Sequence, residues 1–95
     1  MKPYSDETLA ENAVLRRFDE SIDPIELMWH RDDEDRLIEA VFETDWYIQL
    51  ENELPKKFEE KVFIPRHEWH RLIKGTGDLT VKITKYQNAN SHRSI

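Results

Sequence analysis

Glu59-Glu60-Lys61-Val62-Phe63-Ile64-Pro65-Arg66-His67-Glu68-Trp69-His70-Arg71-Leu72 holds two short apolar runs parted by a proline. Lys61 to Ile64 reads as a strand that stops at Pro65, because proline fixes its own φ and cannot donate to a ladder. His70 to Lys74 reads as the next strand. The tripeptide Trp69-His70-Arg71 has a twin forty residues upstream, Trp29-His30-Arg31. Side chains alternate across a strand, so a histidine that faces inward sends its flanking tryptophan and arginine outward. Two such histidines, each beside a turn, are candidates for one shared pocket. The competing reading is two partly buried histidines with structural hydrogen bonds.

The rest of the chain carries the same period. Ile25 to His30 is expected to be a strand with Ile25, Leu27 and Trp29 on one face. Arg36 to Phe42 places Ile38, Ala40 and Phe42 together, and Trp46 to Leu50 is aromatic and β-branched, which suits a pleated surface. Leu79 to Thr84 alternates cleanly after the Gly75-Thr76-Gly77-Asp78 turn. Asp32 to Asp35 is an acidic bend, and the stretch from Asn52 to Lys57, with Pro55, is a turn. Only the beginning differs. Leu9, Ala10, Ala13, Val14 and Phe18 fall at helical spacing, with Ser5 as N-cap and Arg16 and Arg17 near the end, which predicts a helix over 6–18. The chain then divides into a helix and turn (1–24), a barrel of short strands (25–86) and a polar tail without period (87–95). Many short strands with tight turns favour an all-β barrel or sandwich. Its edge strands need closure or a partner, which makes a homodimer a reasonable expectation.

The 95 residues suffice for one domain and not for two independent cores. The net charge of −6 repels phosphates, so neither nucleic acid nor an anionic membrane surface is the expected partner. With no cysteine there are no disulfides and no thiolate ligands. The segment Met1 to Glu7 lacks the apolar core of a signal peptide, and no apolar run reaches membrane length, so a cytoplasmic protein is expected. Two glycines are too few for a dinucleotide loop, and the serines lie near termini and turns, where a serine triad has no support.

The segment from Glu59 to His70 resembles the second sequence motif of cupins: a Gly, five residues, Pro, one residue, Gly, two residues, then a metal-binding His. Pro65 and His70 match, while Glu59 and His67 stand at the glycine positions and Lys74 where the family often has Asn. The first copy resembles the first cupin motif, two His separated by one residue and a Glu beyond. With His30 as the first His, Asp32 takes the second His position and Leu37 the Glu position. With His30 as the second, Met28 replaces the first and Asp35 takes the Glu position. The resemblance covers about residues 25–84 and implies a small cupin-like β-barrel of the jelly-roll type, here with one N-terminal α-helix.

That resemblance also implies a divalent metal ion, with His30, His70 and either Asp32 or Asp35 as ligands. Two imidazoles and a carboxylate form the facial set typical of mononuclear iron; zinc, nickel and manganese are also compatible. The two histidine side chains should then converge on one point, since ligand bonds are about 2 Å long. Gln49 is expected to line the pocket, and Arg36 and Arg71 to bind a substrate carboxylate bidentately unless they pair with nearby acids. Three functions follow: a metal-dependent dioxygenase, isomerase or lyase acting on a small polar molecule; a ligand-binding module without chemistry; and a scaffold that keeps the barrel for interactions. One barrel hosts many chemistries, so fold alone does not choose.

Overall fold

The computed structural model, which describes residues 3–86, has eight antiparallel strands, six of which send side chains into a single core. They are β1 (Ser5–Ala10), β2 (Ala13–Phe18), β3 (Asp35–Ala40), β4 (Tyr47–Leu50), β5 (Lys56–Lys57), β6 (Val62–Ile64), β7 (His70–Ile73) and β8 (Leu79–Tyr86). Five form one sheet in the order β1-β2-β8-β3-β6, and three form a second in the order β5-β4-β7. This is an all-β, jelly-roll-type architecture. Among the described residues no helix is long and apolar enough to cross a membrane.

β8 shows why the core sits between the sheets. Leu79, Val81 and Ile83 are buried, while the alternate Thr80 and Lys82 point away. Register carries this face to the neighbours: Ile83 lies beside Val14 on β2 and Ile38 on β3. From the other sheet Ile48 and Leu50 of β4 meet the same core, and Trp46 just before β4 is fully buried. Its indole N–H donates to Gly77 O at 3.1 Å, so the one polar atom of that large ring is satisfied. Gly77 has φ 75°, as the turn requires.

The expected N-terminal helix over 6–18 does not form; the segment is the hairpin β1–β2, turned at Glu11 and Asn12. The helical spacing of its apolar residues is real but loses to tertiary pairing. As a strand, β2 turns Val14, Arg16 and Phe18 inward and supplies a ladder partner for Leu79 to Thr84 of β8. Asp6 lies opposite Arg16 in the hairpin register, and the two form a bidentate pair at 2.8 and 2.9 Å. The helix expected over 6–18 is thus replaced by two strands that join the five-stranded sheet, while the stretch after them, from Asp19 to Pro24, is a turn as expected.

Two further expectations change. Ile25 to His30 is not a strand: Pro24–Leu27 is a 3-10 turn capped by Asp23, whose Oδ1 accepts from Ile25 N at 3.1 Å. Proline at the first position favours such a turn. Leu27 is buried, but Ile25 is exposed, and only His30 makes strand-like bonds. Phe42 lies beyond β3 and is exposed rather than sharing the face of Ile38. The tail expected over 87–95 lies outside the described residues.

Candidate metal centre

His30 and His70 face each other across an isolated antiparallel bridge. His30 N donates to His70 O and His70 N donates to His30 O, both at 2.9 Å. Residues paired this way point to the same side of the sheet. Their rings accordingly meet at 4.2 Å between centroids and 62° between planes. The bridge also pairs the tripeptides head to tail, so Arg71 lies over the Trp29 ring at 5.1 Å and Arg31 over the Trp69 ring at 5.0 Å.

Each histidine is oriented in the same way. His30 Nδ1 is 3.2 Å from Met28 O and His70 Nδ1 is 2.9 Å from Glu68 O, each a carbonyl two residues back. A carbonyl only accepts, so Nδ1 carries the proton and the neutral ring presents the Nε2 lone pair. His70 is buried, at 3 % exposure, while His30 is exposed at the mouth.

Asp32 completes the group. A ligand atom from each of His30, Asp32 and His70 lies within 4.8 Å of the other two. Asp32 Oδ2 is 3.3 Å from His70 Nε2 and 3.3 Å from Arg36 Nη1, yet it is buried without a well-aligned hydrogen bond. Burial opposes ionisation of this carboxyl. His70, Arg36 and His30 outweigh it and hold Asp32 below the usual carboxylate range. Desolvation, reinforced by the neighbouring His70, lowers the His30 pKa. Both directions favour the forms that bind a cation: a carboxylate and a neutral imidazole.

The loop that carries Asp32 is clamped by the segment before His70. His67 N donates to Asp32 O at 2.7 Å, and His67 itself has φ 69°. That left-handed backbone occurs at a glycine position of the second cupin motif, so the turn keeps its shape although the residue differs.

The other candidates lie as follows. Arg36, on β3, shares the inward face with Ile38 and lines the same cavity of about 430 Å³ as the histidines. It is committed to Glu34, with Nε and Nη2 both 2.7 Å from Oε2, and to Asp32. Asp35 stands apart from the three ligand candidates; its Oδ1 accepts from Arg66 N at 2.7 Å and ties the start of β3 to the loop after β6. Gln49 and Arg71 are not in the histidine cavity. They lie opposite each other on β4 and β7, on the face away from Ile48 and Leu72, and Arg71 Nε donates to Gln49 Oε1 at 2.8 Å.

One cavity residue was not among the sequence candidates. Arg16 is 9 % exposed, lines the cavity from β2 and lies over the Tyr4 ring at 3.7 Å. Its sequence signal is the inward triplet Val14, Arg16, Phe18 at period two, which the helical reading of the segment hid.

No model of a known protein family matches the chain, and no curated protein matches its sequence. Solved structures do match in shape. KdgF from Halomonas sp. aligns with a TM-score of 0.62 at 15 % identity, covering 93 % of this chain and 82 % of that one. A cupin domain from Bordetella pertussis aligns with a TM-score of 0.53 at 12 % identity, over 87 % and 91 %. The chain has the cupin fold. A third cupin-fold match, from a structure of DMSP lyases, has a TM-score of 0.64 at 15 % identity; it covers 80 % of this chain, which spans only 38 % of the lyase. At these identities the likeness shows the cupin fold and leaves the chemistry to the residues.

Proposed function

We propose that this cupin holds a divalent metal ion on His30, Asp32 and His70 and receives a small polar molecule beside it. The supporting observation is the His70 Nε2 to Asp32 Oδ2 approach of 3.3 Å. When His70 is neutral, with Nδ1 donating to Glu68 O, its Nε2 turns a lone pair toward a carboxylate oxygen that accepts no well-aligned bond. Two acceptors at that distance repel unless a proton or a cation lies between them. The donor set, two imidazoles and one carboxylate, fits iron, zinc, nickel or manganese. His30, the exposed member, has room to adjust toward bonds of about 2.1 Å. Arg36 has Glu34 as a second partner, so it can leave Asp32 to a metal.

A bound cation of this kind supplies Lewis acidity to a coordinated oxygen. The chain's own residues do the remainder. Glu68 O fixes the His70 ring, Asp32 contributes charge, and Leu27, Ile48 and Leu72 wall the cavity against water. We favour a metal-dependent enzyme of the dioxygenase, isomerase or lyase kind acting on a small polar molecule. A structure of iron(II) HppE aligns with this chain at a TM-score of 0.59 and 15 % identity, over 87 % of this chain and 48 % of that one, consistent with iron on such a barrel.

The Arg36–Asp32 pair favours a second reading, a ligand-binding module without metal, because a guanidinium at 3.3 Å already balances the carboxylate. Elemental analysis of tag-free protein, dialysed without chelator, separates the two. Near-stoichiometric metal that is lost in His30→Ala and in His70→Ala supports the metal centre. Absence of metal after both purification and reconstitution would overturn it and leave the binding module.

A further inference from the structure

The side of the three-stranded sheet turned away from the histidines carries an open groove of about 600 Å³. Trp29 and Trp69 line it together with Gln49, Glu51, Asn52 and Glu53. Both indoles are 38 % exposed, which is high for residues that usually bury most of their surface. They are also held. Arg71 lies over Trp29 and Arg31 over Trp69, and neither arginine lines the groove, so the rings are braced from outside it. The brace continues inward, because Gln49 accepts from Arg71 and donates to Glu53 O at 2.9 Å.

The charge of the lining has one sign. Glu51 and Glu53 are its only ionised side chains. Lys56 lies 3.2 Å from Glu53 Oε1, whereas Glu51 has no ion pair among the described residues. Two rigid indoles beside an uncompensated carboxylate attract a weakly hydrated cation, since the ring faces carry negative potential. The Trp–Arg pairs show these rings already accepting guanidinium groups. A neutral sugar would also stack on indoles, but it needs free hydrogen-bonding groups. Gln49 is spent on Arg71 and Glu53, which leaves Asn52 as the uncommitted amide of the lining.

We propose that this groove is a second binding site, for a small organic cation of the alkylated ammonium class, held between Trp29 and Trp69 with Glu51 as its counter-charge. Apart from Trp29, which borders both, its lining is separate from that of the histidine cavity, and it does not depend on a metal there.

The test is calorimetric titration of the full chain with choline and, in parallel, with 3,3-dimethylbutan-1-ol, which has the same shape without the charge. Saturable choline binding should exceed that of the neutral analogue by about tenfold. It should weaken by about tenfold in Trp69→Leu and several-fold in the exposed substitution Glu51→Gln, and stay unchanged after the protein is treated with a chelator. If Trp69→Leu fails to fold, Glu51→Gln and the neutral analogue still decide. Equal binding of both ligands, absence of saturation with choline, or tighter binding of cellobiose than of choline would each overturn the site.

Discussion

His30 and His70 exchange two backbone hydrogen bonds of 2.9 Å and bring their rings to 4.2 Å, while each ring is pinned through Nδ1 to the carbonyl two residues before it. The repeated tripeptide is therefore a structural pair: one copy builds the partner of the other. The two rings differ in depth. Replacing buried His70 by alanine removes a packed ring and leaves Glu68 O without its donor, a loss of about 1–3 kcal/mol. The same change at exposed His30 should cost under about 1 kcal/mol. Urea unfolding of the metal-free protein measures both.

Asp32 and Asp35 should separate cleanly. Asp32→Ala is expected to abolish metal uptake, because it removes a carboxylate within reach of both histidines. Asp35→Ala should leave uptake intact and cost about 1 kcal/mol of stability, since it frees Arg66 N from its acceptor. Retention of metal by the first variant and its loss in the second would reverse the assignment. Metal titration followed by urea unfolding reads both effects.

Acid should act on this centre in one direction. The pKa of Asp32 is held below that of an unfolded aspartate, so its contribution is present above the unfolded value and is lost as pH falls through the lower folded one. His30 is also lowered, here chiefly by desolvation. The unfolded chain therefore takes up this proton first as pH falls, and stability declines from about pH 6.5 downward. The urea midpoint of the metal-free protein should drop between pH 7.5 and 5.5, and less so in His30→Ala. An unchanged midpoint would contradict the partial desolvation of the His30 ring.

His67 stores backbone strain that glycine would relieve. A left-handed φ costs an ordinary residue about 1–2 kcal/mol, against an entropy cost of roughly 0.5–1 kcal/mol for glycine. The contact of His67 Nε2 with exposed Asp33 Oδ1 at 3.4 Å adds little. His67→Gly should thus be neutral or stabilising by up to about 1 kcal/mol, whereas β-branched His67→Val should destabilise. Thermal melts of the two variants order them.

Gly75 is required for a different reason. A Cβ there would collide with the backbone and carboxylate of Asp45, whose oxygens accept from Thr76 N and Thr76 Oγ1 at 2.8 Å. Gly75→Ala should lower the melting temperature by more than Asp45→Ala does, because backbone cannot move aside as a side chain can. Differential scanning calorimetry would show the order.

The period-two runs at Val62 to Ile64, Ile48 to Leu50 and Leu79 to Ile83 were legible without a structure, since a strand with one buried face must alternate. The twin tripeptides and Pro65 likewise pointed to a cupin-like barrel with two inward histidines. Partner choice is what local pattern lacks. Residues 6–18 read equally well at helical spacing, and the segment became a hairpin because β8 offered an edge with a matching apolar face. That choice buried Arg16, which the helical reading had placed near the helix end. Asp32 and Asp35 are three residues apart, and no spacing rule separates them; the clamp of His67 on Asp32 O and the use of Asp35 by Arg66 do. Gln49 and Arg71 had the right residue types for a pocket, but strand parity put them on the far face. The sequence by itself determined the strand period and the inventory of imidazoles and carboxylates, because both are local. Only the tertiary structure decided which of them meet, because that depends on which strands pair and in what register.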